Sequence, residues 1–243
     1  MKSIILAAGI ASRLRPLTDS VPKCLLKIGD RCLLERAFDA LIQNGVNDFI
    51  VVTGYRQQQI VDFLNSNYPA QTIEFVYNED YATTNNIYSL WLATPFVGNE
   101  DVLLLDSDIV FDPQIIEVLL QSGKQNVLAL NKHELGEEEI KVIAGEDGKV
   151  LEISKVCSIA DAIGESIGIE RMSPAYFQAL SKEMDTMINN EGLGNVFYEK
   201  AFERLIPQNH FFYAIDTTQF FSVELDTVED FEQAQKLIPD NLY

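Results

Sequence analysis

The chain has 243 residues, 47% of them hydrophobic, enough to close a large core without disulfides or structural metal. Its 18 Lys and Arg against 37 Asp and Glu give a formal net charge of −19, a field that repels nucleic acid and anionic membrane surfaces. Three cysteines with no CxxC spacing and two histidines offer neither a disulfide framework nor a zinc cluster, and no stretch approaches the roughly 20 apolar residues that span a bilayer, so a reducing cytoplasm is expected.

Taken in chain order, short apolar runs alternate with helix-length amphipathic segments through the first half. IILAA at 4–8 reads as a strand, not a signal peptide, and is followed by an Arg- and Pro-rich loop. LLERAFDALIQNG at 33–45 sets Leu34, Phe38, Leu41 and Ile42 on one helical stripe and stops at Gly45. FIVVTG, IVDFLNSNY, TIEFVYN, NNIYSLWLA and DVLLLDSD then continue strand, helix, strand, helix, strand. The fold class expected is α/β, a Rossmann-like doubly wound, mainly parallel sheet.

From about residue 125 the pattern becomes β-rich: VLALN, EIKVIA, KVLEIS and ESIGIERM, a small antiparallel arm packed on the main sheet. Two helices near 174–190 and 195–206 follow, then a strand pair, FFYAID and FFSVELD, and a helix from about 227 to 238. MINNEGLGN at 187–195 reads as a flexible loop. One domain over 1–243 is expected, with a nucleotide-binding core over about 1–132 and an acceptor-binding arm with the C-terminal helices over about 133–243.

The first strand runs through Leu6, Ala7 and Ala8 into Gly9, a loop beyond the carboxyl end of a parallel strand, where α/β sheets bind ligands. Small residues let backbone N–H groups approach phosphate. Arg13 adds a planar fork of donors, and Lys23 behind Pro22 a point charge. The absence of Walker A and GxGxxG patterns argues against P-loop ATPases and nicotinamide dehydrogenases. Asp106 and Asp108, at the end of VLLLDSD, lie on one side of an extended chain, and Glu224 and Asp226 repeat that arrangement near the C-terminus; hard carboxylate oxygens beside a triphosphate suit Mg²⁺. An acidic turn or helix cap before Pro113 is the alternative for the first pair.

LAAGxxxRxxPxT followed by PK, with these aspartates, resembles the sugar-phosphate nucleotidyltransferase superfamily. Ala11 stands where the usual loop has Gly. The resemblance implies catalytic roles for Arg13 and Lys23, nucleotide contacts at Leu6, Ala7, Ala8, Gly9 and Asp106, and metal ligation by Asp108 and Asp226 with Glu224 close by. Asn85-Asn86-Ile87-Tyr88-Ser89-Leu90-Trp91 is similar to the NNxYSL segment of bacterial CTP:phosphocholine and 2-aminoethylphosphonate cytidylyltransferases, which implies nucleotide contacts from Thr84, Asn85, Asn86 and Ser89. An Asn cap with an aromatic core face accounts for Leu90 and Trp91.

Lys141, Lys155 and Glu165 lie in EIKV, EISK and GESIG, which resemble the corresponding run of the phosphonate-type enzymes; with Tyr198 and Glu199 they are the acceptor-binding candidates. For Lys141 a solvated strand face serves equally well. The partners expected are CTP and a small phosphorylated or phosphonylated acceptor, without nucleic acid or membrane, for a monomer or homodimer. Two alternatives stay open: a sugar-1-phosphate nucleotidyltransferase using UTP, GTP or dTTP, and a nucleotide-binding module without catalysis.

Overall fold

A computed structural model of the chain describes residues 1–242. β1 (Lys2–Ala7) leads through the Arg- and Pro-rich loop and two short strands, β2 (Lys27–Ile28) and β3 (Arg31–Cys32), into α1 (Leu33–Gln43). Gly45, at φ 82, ends α1 in the left-handed conformation that a glycine adopts without Cβ strain. The alternation continues through β4 (Asp48–Thr53), α2 (Gln57–Asn67), β5 (Thr72–Tyr77), α3 (Asn86–Ala93) and β6 (Val102–Asp106).

β7 (Ile109–Phe111), α4 (Gln114–Gln121) and β8 (Val127–Asn131) lead to β9 (Lys141–Ala144), β10 (Val150–Ser154) and β11 (Gly164–Met172). The chain closes with α5 (Pro174–Asp185), α6 (Glu199–Leu205), β12 (Tyr213–Asp216), β13 (Ser222–Glu224) and α7 (Val228–Leu237). Among the described residues no helix is long and apolar enough to cross a membrane.

The main sheet has nine strands, running β10-β9-β11-β6-β1-β4-β5, with β8 beside β11 and β12 beside β8. β6, β1, β4 and β5 are parallel, and β11 is antiparallel to β6. Both faces of this parallel core are covered. Ile4, Leu6, Ile50 and Leu104 pack under α3, α5 and α6, while Ile5, Val51, Leu103 and Leu105 pack against α1 and α4. Burial on both sides explains why these strands read as unbroken apolar runs. Sheet order reverses between β4 and β6 around β1, so the ligand crevice of a doubly wound sheet opens beyond the carboxyl ends of β1 and β6.

Three expectations change. The β-rich arm does not pack on the sheet as a layer: β9 and β10 extend the same sheet at its edge. FFYAID and FFSVELD are not partners, since β12 pairs in parallel with β8 and β13 pairs with β7. The segment read as a loop at 187–195 begins as a π-helical turn, and its Gly194 carbonyl accepts from Asn85 N at 3.0 Å, which ties it to the start of α3. Alternation identifies a strand but not its partner.

Candidate active site

A cleft of about 360 Å³ opens at the β1/β6 crevice and brings together segments from across the chain, including the β1 loop, the start of α3, the turn after β6, β11 and the stretch after β13. On one wall, the loop after β1 folds over itself: Thr18 Oγ1 donates to Ala11 O at 3.0 Å, and Tyr55 N donates to Ala8 O at 2.9 Å. Ala11 sits at φ 52, the left-handed region where an alanine costs about 1–2 kcal/mol more than a glycine. That is the physical reason for the glycine usual there.

The floor is acidic. β6 ends at Asp106, a turn carries Ser107 and Asp108, and β7 pairs antiparallel with β13 so that Leu225 N donates to Asp108 O at 3.0 Å. This pairing brings carboxylate oxygens of Asp108, Glu224 and Asp226 within 4.8 Å of one another. Asp108 Oδ1 is buried and has no hydrogen-bond partner among the described residues. An orphaned, buried carboxylate oxygen amid hard oxygen donors fits a divalent cation such as Mg²⁺.

Lys23 holds the carboxylates from the loop side: its ammonium donates to Asp108 Oδ2 at 2.9 Å and to Asp226 Oδ1 at 3.0 Å. Burial opposes the charged lysine, but Asp108 and Asp226 outweigh it and lift its pKa above the usual range. Arg13 reaches Asp226 Oδ2 at 2.6 Å from an exposed position. Burial likewise raises Asp226, and Lys23, Arg13 and Lys155 together bring it below the ordinary carboxylate value. Glu224, whose outer side meets solvent, is pushed up to about 8 by burial of its carboxyl among the other acids and by the charges of Asp108 and Asp226.

Asp106 lines the same cleft but has a partner of its own. Its Oδ2 accepts from Tyr198 Oη at 2.9 Å and lies where a Cβ on Gly168 would come within 2.8 Å. Burial and the nearby Asp108, Glu199 and Glu170 charges raise it well above its ordinary value, against the Tyr198 hydrogen bond. Gly168, at φ 71 in the irregular stretch of β11, is thus a position where close approach requires glycine.

At the start of α3, Thr84, Asn85, Asn86 and Ser89 all line the cleft, as expected. Their polar groups are partly engaged within the fold. Asn78 Nδ2 donates to Thr84 Oγ1 at 3.2 Å and Ser89 Oγ at 3.1 Å, Asn85 caps the helix, and Asn86 Oδ1 accepts from Tyr198 N at 2.9 Å. Asn78 and Tyr81 also line the cleft, and sequence reasoning missed both. Their position just past the carboxyl end of β5, on the ligand side of the sheet, was the available signal.

The acceptor-binding candidates divide. Lys155, Glu165 and Glu199 line the cleft. Lys155 Nζ stands 3.4 Å from Glu138 Oε2 and 4.6 Å from the Phe197 ring centroid, and Glu165 Oε2 lies 2.7 Å from His133 Nε2. Lys141 does not belong with them. It is 2% exposed, and its ammonium donates to the carbonyls of Gly136, Glu137 and Glu139, which fastens that loop from beneath. Tyr198 is also a correction: fully buried, it positions Asp106 and presents no surface to an acceptor.

The chain is similar in sequence and fold to known proteins. A choline-phosphate cytidylyltransferase of Streptococcus pneumoniae is 39% identical over 107 residues, 44% of this chain. A 2-aminoethylphosphonate cytidylyltransferase of Lancefieldella rimae is 32% identical over 114 residues, 47% of this chain. Each match spans 45% of the relative's own length. Among solved structures, the CTP:phosphocholine cytidylyltransferase of Streptococcus pneumoniae superposes with a TM-score of 0.81 at 24% identity over 98% of this chain and 99% of that one, which establishes a common fold. The nucleotidyl transferase family model matches residues 2–134, a stretch that takes in the β1 loop, Lys23 and Asp108, and the chain belongs to that family.

Proposed function

We propose that the protein is a Mg²⁺-dependent cytidylyltransferase that transfers CMP from CTP to a small phospho- or phosphono-acceptor, 2-aminoethylphosphonate or phosphocholine, in the cytoplasm. The observation that carries this reading is the single lysine shared by Asp108 and Asp226 on the acidic floor of the cleft, where cation and carboxylates meet within 3.0 Å. A site that only bound a nucleotide would have no use for the buried, orphaned oxygen of Asp108 beside two further carboxylates.

An oxygen of the acceptor's phosphate or phosphonate attacks the α-phosphorus of CTP, a new P–O bond forms, and the bond from that phosphorus to the bridging oxygen breaks. Pyrophosphate leaves with the electron pair. The acceptor oxygen is already anionic near neutral pH, so no general base is required, and neither histidine lines the cleft. Asp108, Asp226 and Glu224 would hold Mg²⁺, which when bound neutralises charge on the phosphates. Backbone N–H groups of the Gly9 loop cradle the triphosphate, Arg13 grips the departing phosphates, and Lys23 stabilises charge on the oxygens around the α-phosphorus. Thr84, Asn85, Asn86 and Ser89 face the nucleoside, and Lys155 attracts the acceptor's oxyanion. The work is alignment and electrostatics.

Support for CTP comes from the NNIYSLW segment and from relatives named for CTP-linked reactions. Pyrophosphate release by the purified protein with Mg²⁺, measured across four nucleoside triphosphates, tests it. Preference for CTP is expected; preference for UTP, GTP or dTTP with a sugar 1-phosphate would replace it with the sugar-nucleotide reaction.

A further inference from the structure

The cleft is also lined by a carboxyl group that phosphoryl transfer leaves unused. Glu199, at the start of α6, is 5% exposed yet lines the cleft, and its Oε2 is buried with no hydrogen-bond partner among the described residues. Among the buried acids nearby, Tyr198 donates to Asp106 Oδ2 and Ser166 donates to Glu170 Oε1 at 3.4 Å; Glu170 Oε2 is likewise unpartnered, but Glu170 does not line the cleft. A desolvated acceptor without a partner, on a residue of the cleft wall, is a place for a donor from the ligand.

The charges on the cleft wall narrow that ligand. Lys155 and Glu199 both line the cleft that holds the carboxylate trio, so one small ligand is offered a cation and an unpartnered carboxylate together. A small zwitterion would match this pair, its anionic end toward Lys155 and its cationic end toward Glu199. Burial pushes the Glu199 carboxyl up to about 7, and an ammonium at hydrogen-bond distance would restore its ionised form.

The cation that fits carries N–H bonds. A quaternary ammonium gives no donor to Oε2 and depends instead on aromatic faces around it. The aromatic side chains lining this cleft, among the described residues, are Tyr81 and Phe197. Tyr81 sits at the nucleotide end against Gly54, and the Phe197 ring already carries Lys155 at 4.6 Å. No cage remains.

We infer that Glu199 receives the protonated primary amine of the acceptor through Oε2, which makes the substrate an aminoalkyl phosphate or phosphonate and disfavours its trimethylated counterpart. This rests on the transfer reaction proposed above. The test compares kcat/KM, at saturating CTP and Mg²⁺, for 2-aminoethylphosphonate, phosphoethanolamine, its N-methyl and N,N-dimethyl forms, and phosphocholine. The wild-type protein should prefer the primary amines over phosphocholine by at least about tenfold, falling with each methyl group, because a site built to accept N–H bonds rejects analogues that lack them.

Glu199→Gln should raise the KM of the primary-amine acceptors at least about tenfold, keep the KM for CTP within about twofold, and flatten the methyl series. Phosphocholine turning over as fast as the primary amines, or an unchanged methyl series in Glu199→Gln, would overturn the inference while leaving cytidylyl transfer intact. Release of pyrophosphate from another nucleotide alone, or from none, would instead overturn the reaction on which it rests.

Discussion

Lys23 and Asp226, 203 positions apart in the chain, meet at 3.0 Å, and the same ammonium lies 2.9 Å from Asp108. The contact exists because β13 pairs with β7 and delivers the C-terminal carboxylates to the turn after β6. One lysine therefore bridges two carboxylates of the acidic cluster, and in the proposed reaction it stabilises charge around the α-phosphorus.

Lys23→Ala and Asp108→Asn should each lower turnover by at least roughly two orders of magnitude while shifting the melting temperature by only a few degrees. Steady-state pyrophosphate release and circular-dichroism melting check this; retained turnover in either variant would remove that residue from the mechanism.

Mg²⁺ should raise the melting temperature of Lys23→Ala more than that of the wild-type protein, since the ammonium no longer competes for Asp108 and Asp226. Thermal melts with Mg²⁺ titrated from zero read this without any turnover. An equal response in both proteins would mean that lysine and cation do not share the carboxylates.

Glu199 gives stability a pH dependence of known sign. Its carboxyl ionises near 4.5 in ordinary surroundings and at about 7 here because of burial, so between those values the folded state keeps a proton that the unfolded chain has lost. Its contribution is fully present below about 4.5, declines as pH rises to about 7, and amounts to on the order of 3 kcal/mol. Glu199→Gln should thus melt higher relative to wild type at pH 8 than at pH 4. The same difference at both pH values would contradict it.

Lys141→Met should destabilise the fold by about 1–3 kcal/mol, as three loop carbonyls lose their donor, yet change the acceptor KM by less than about threefold. Lys155→Met should do the reverse, raising the acceptor KM at least about tenfold with little effect on unfolding, as expected for a lost charge contact to an oxyanion. Urea unfolding and acceptor kinetics on both variants separate a lysine that holds a loop from one that faces substrate.

The contrast between these two lysines shows where sequence reasoning stops. The loop from Leu6 to Lys23 and the carboxylates at 108, 224 and 226 were legible because phosphate and cation chemistry demand particular residue types at sheet ends, and the structure gathers them in one cleft. Alternation set Lys141 apart from its apolar neighbours but could not say that its ammonium would turn to the carbonyls of 136–139. Tyr198 looked like an acceptor contact because it follows the segment read as a flexible loop; only its burial at the start of α6, with its hydroxyl on Asp106 at the end of β6, makes it a prop. Asn78 escaped notice since one polar residue after a strand carries no signature until the sheet order is known.

Ala11→Gly should leave activity intact and raise stability by up to roughly 1 kcal/mol, because relief of left-handed strain exceeds the extra entropy that glycine loses. A chemical-denaturation midpoint no higher than that of the wild-type protein would show that the loop bears no strain at this position.

The most direct test of the account is pyrophosphate release by the purified protein with Mg²⁺, each of four nucleoside triphosphates being crossed with 2-aminoethylphosphonate, phosphocholine, inositol phosphate and glucose 1-phosphate. The account predicts turnover with CTP and an aminoalkyl acceptor, abolished by Asp108→Asn; turnover confined to UTP, GTP or dTTP with glucose 1-phosphate, or stoichiometric CTP binding with no pyrophosphate released, would contradict it.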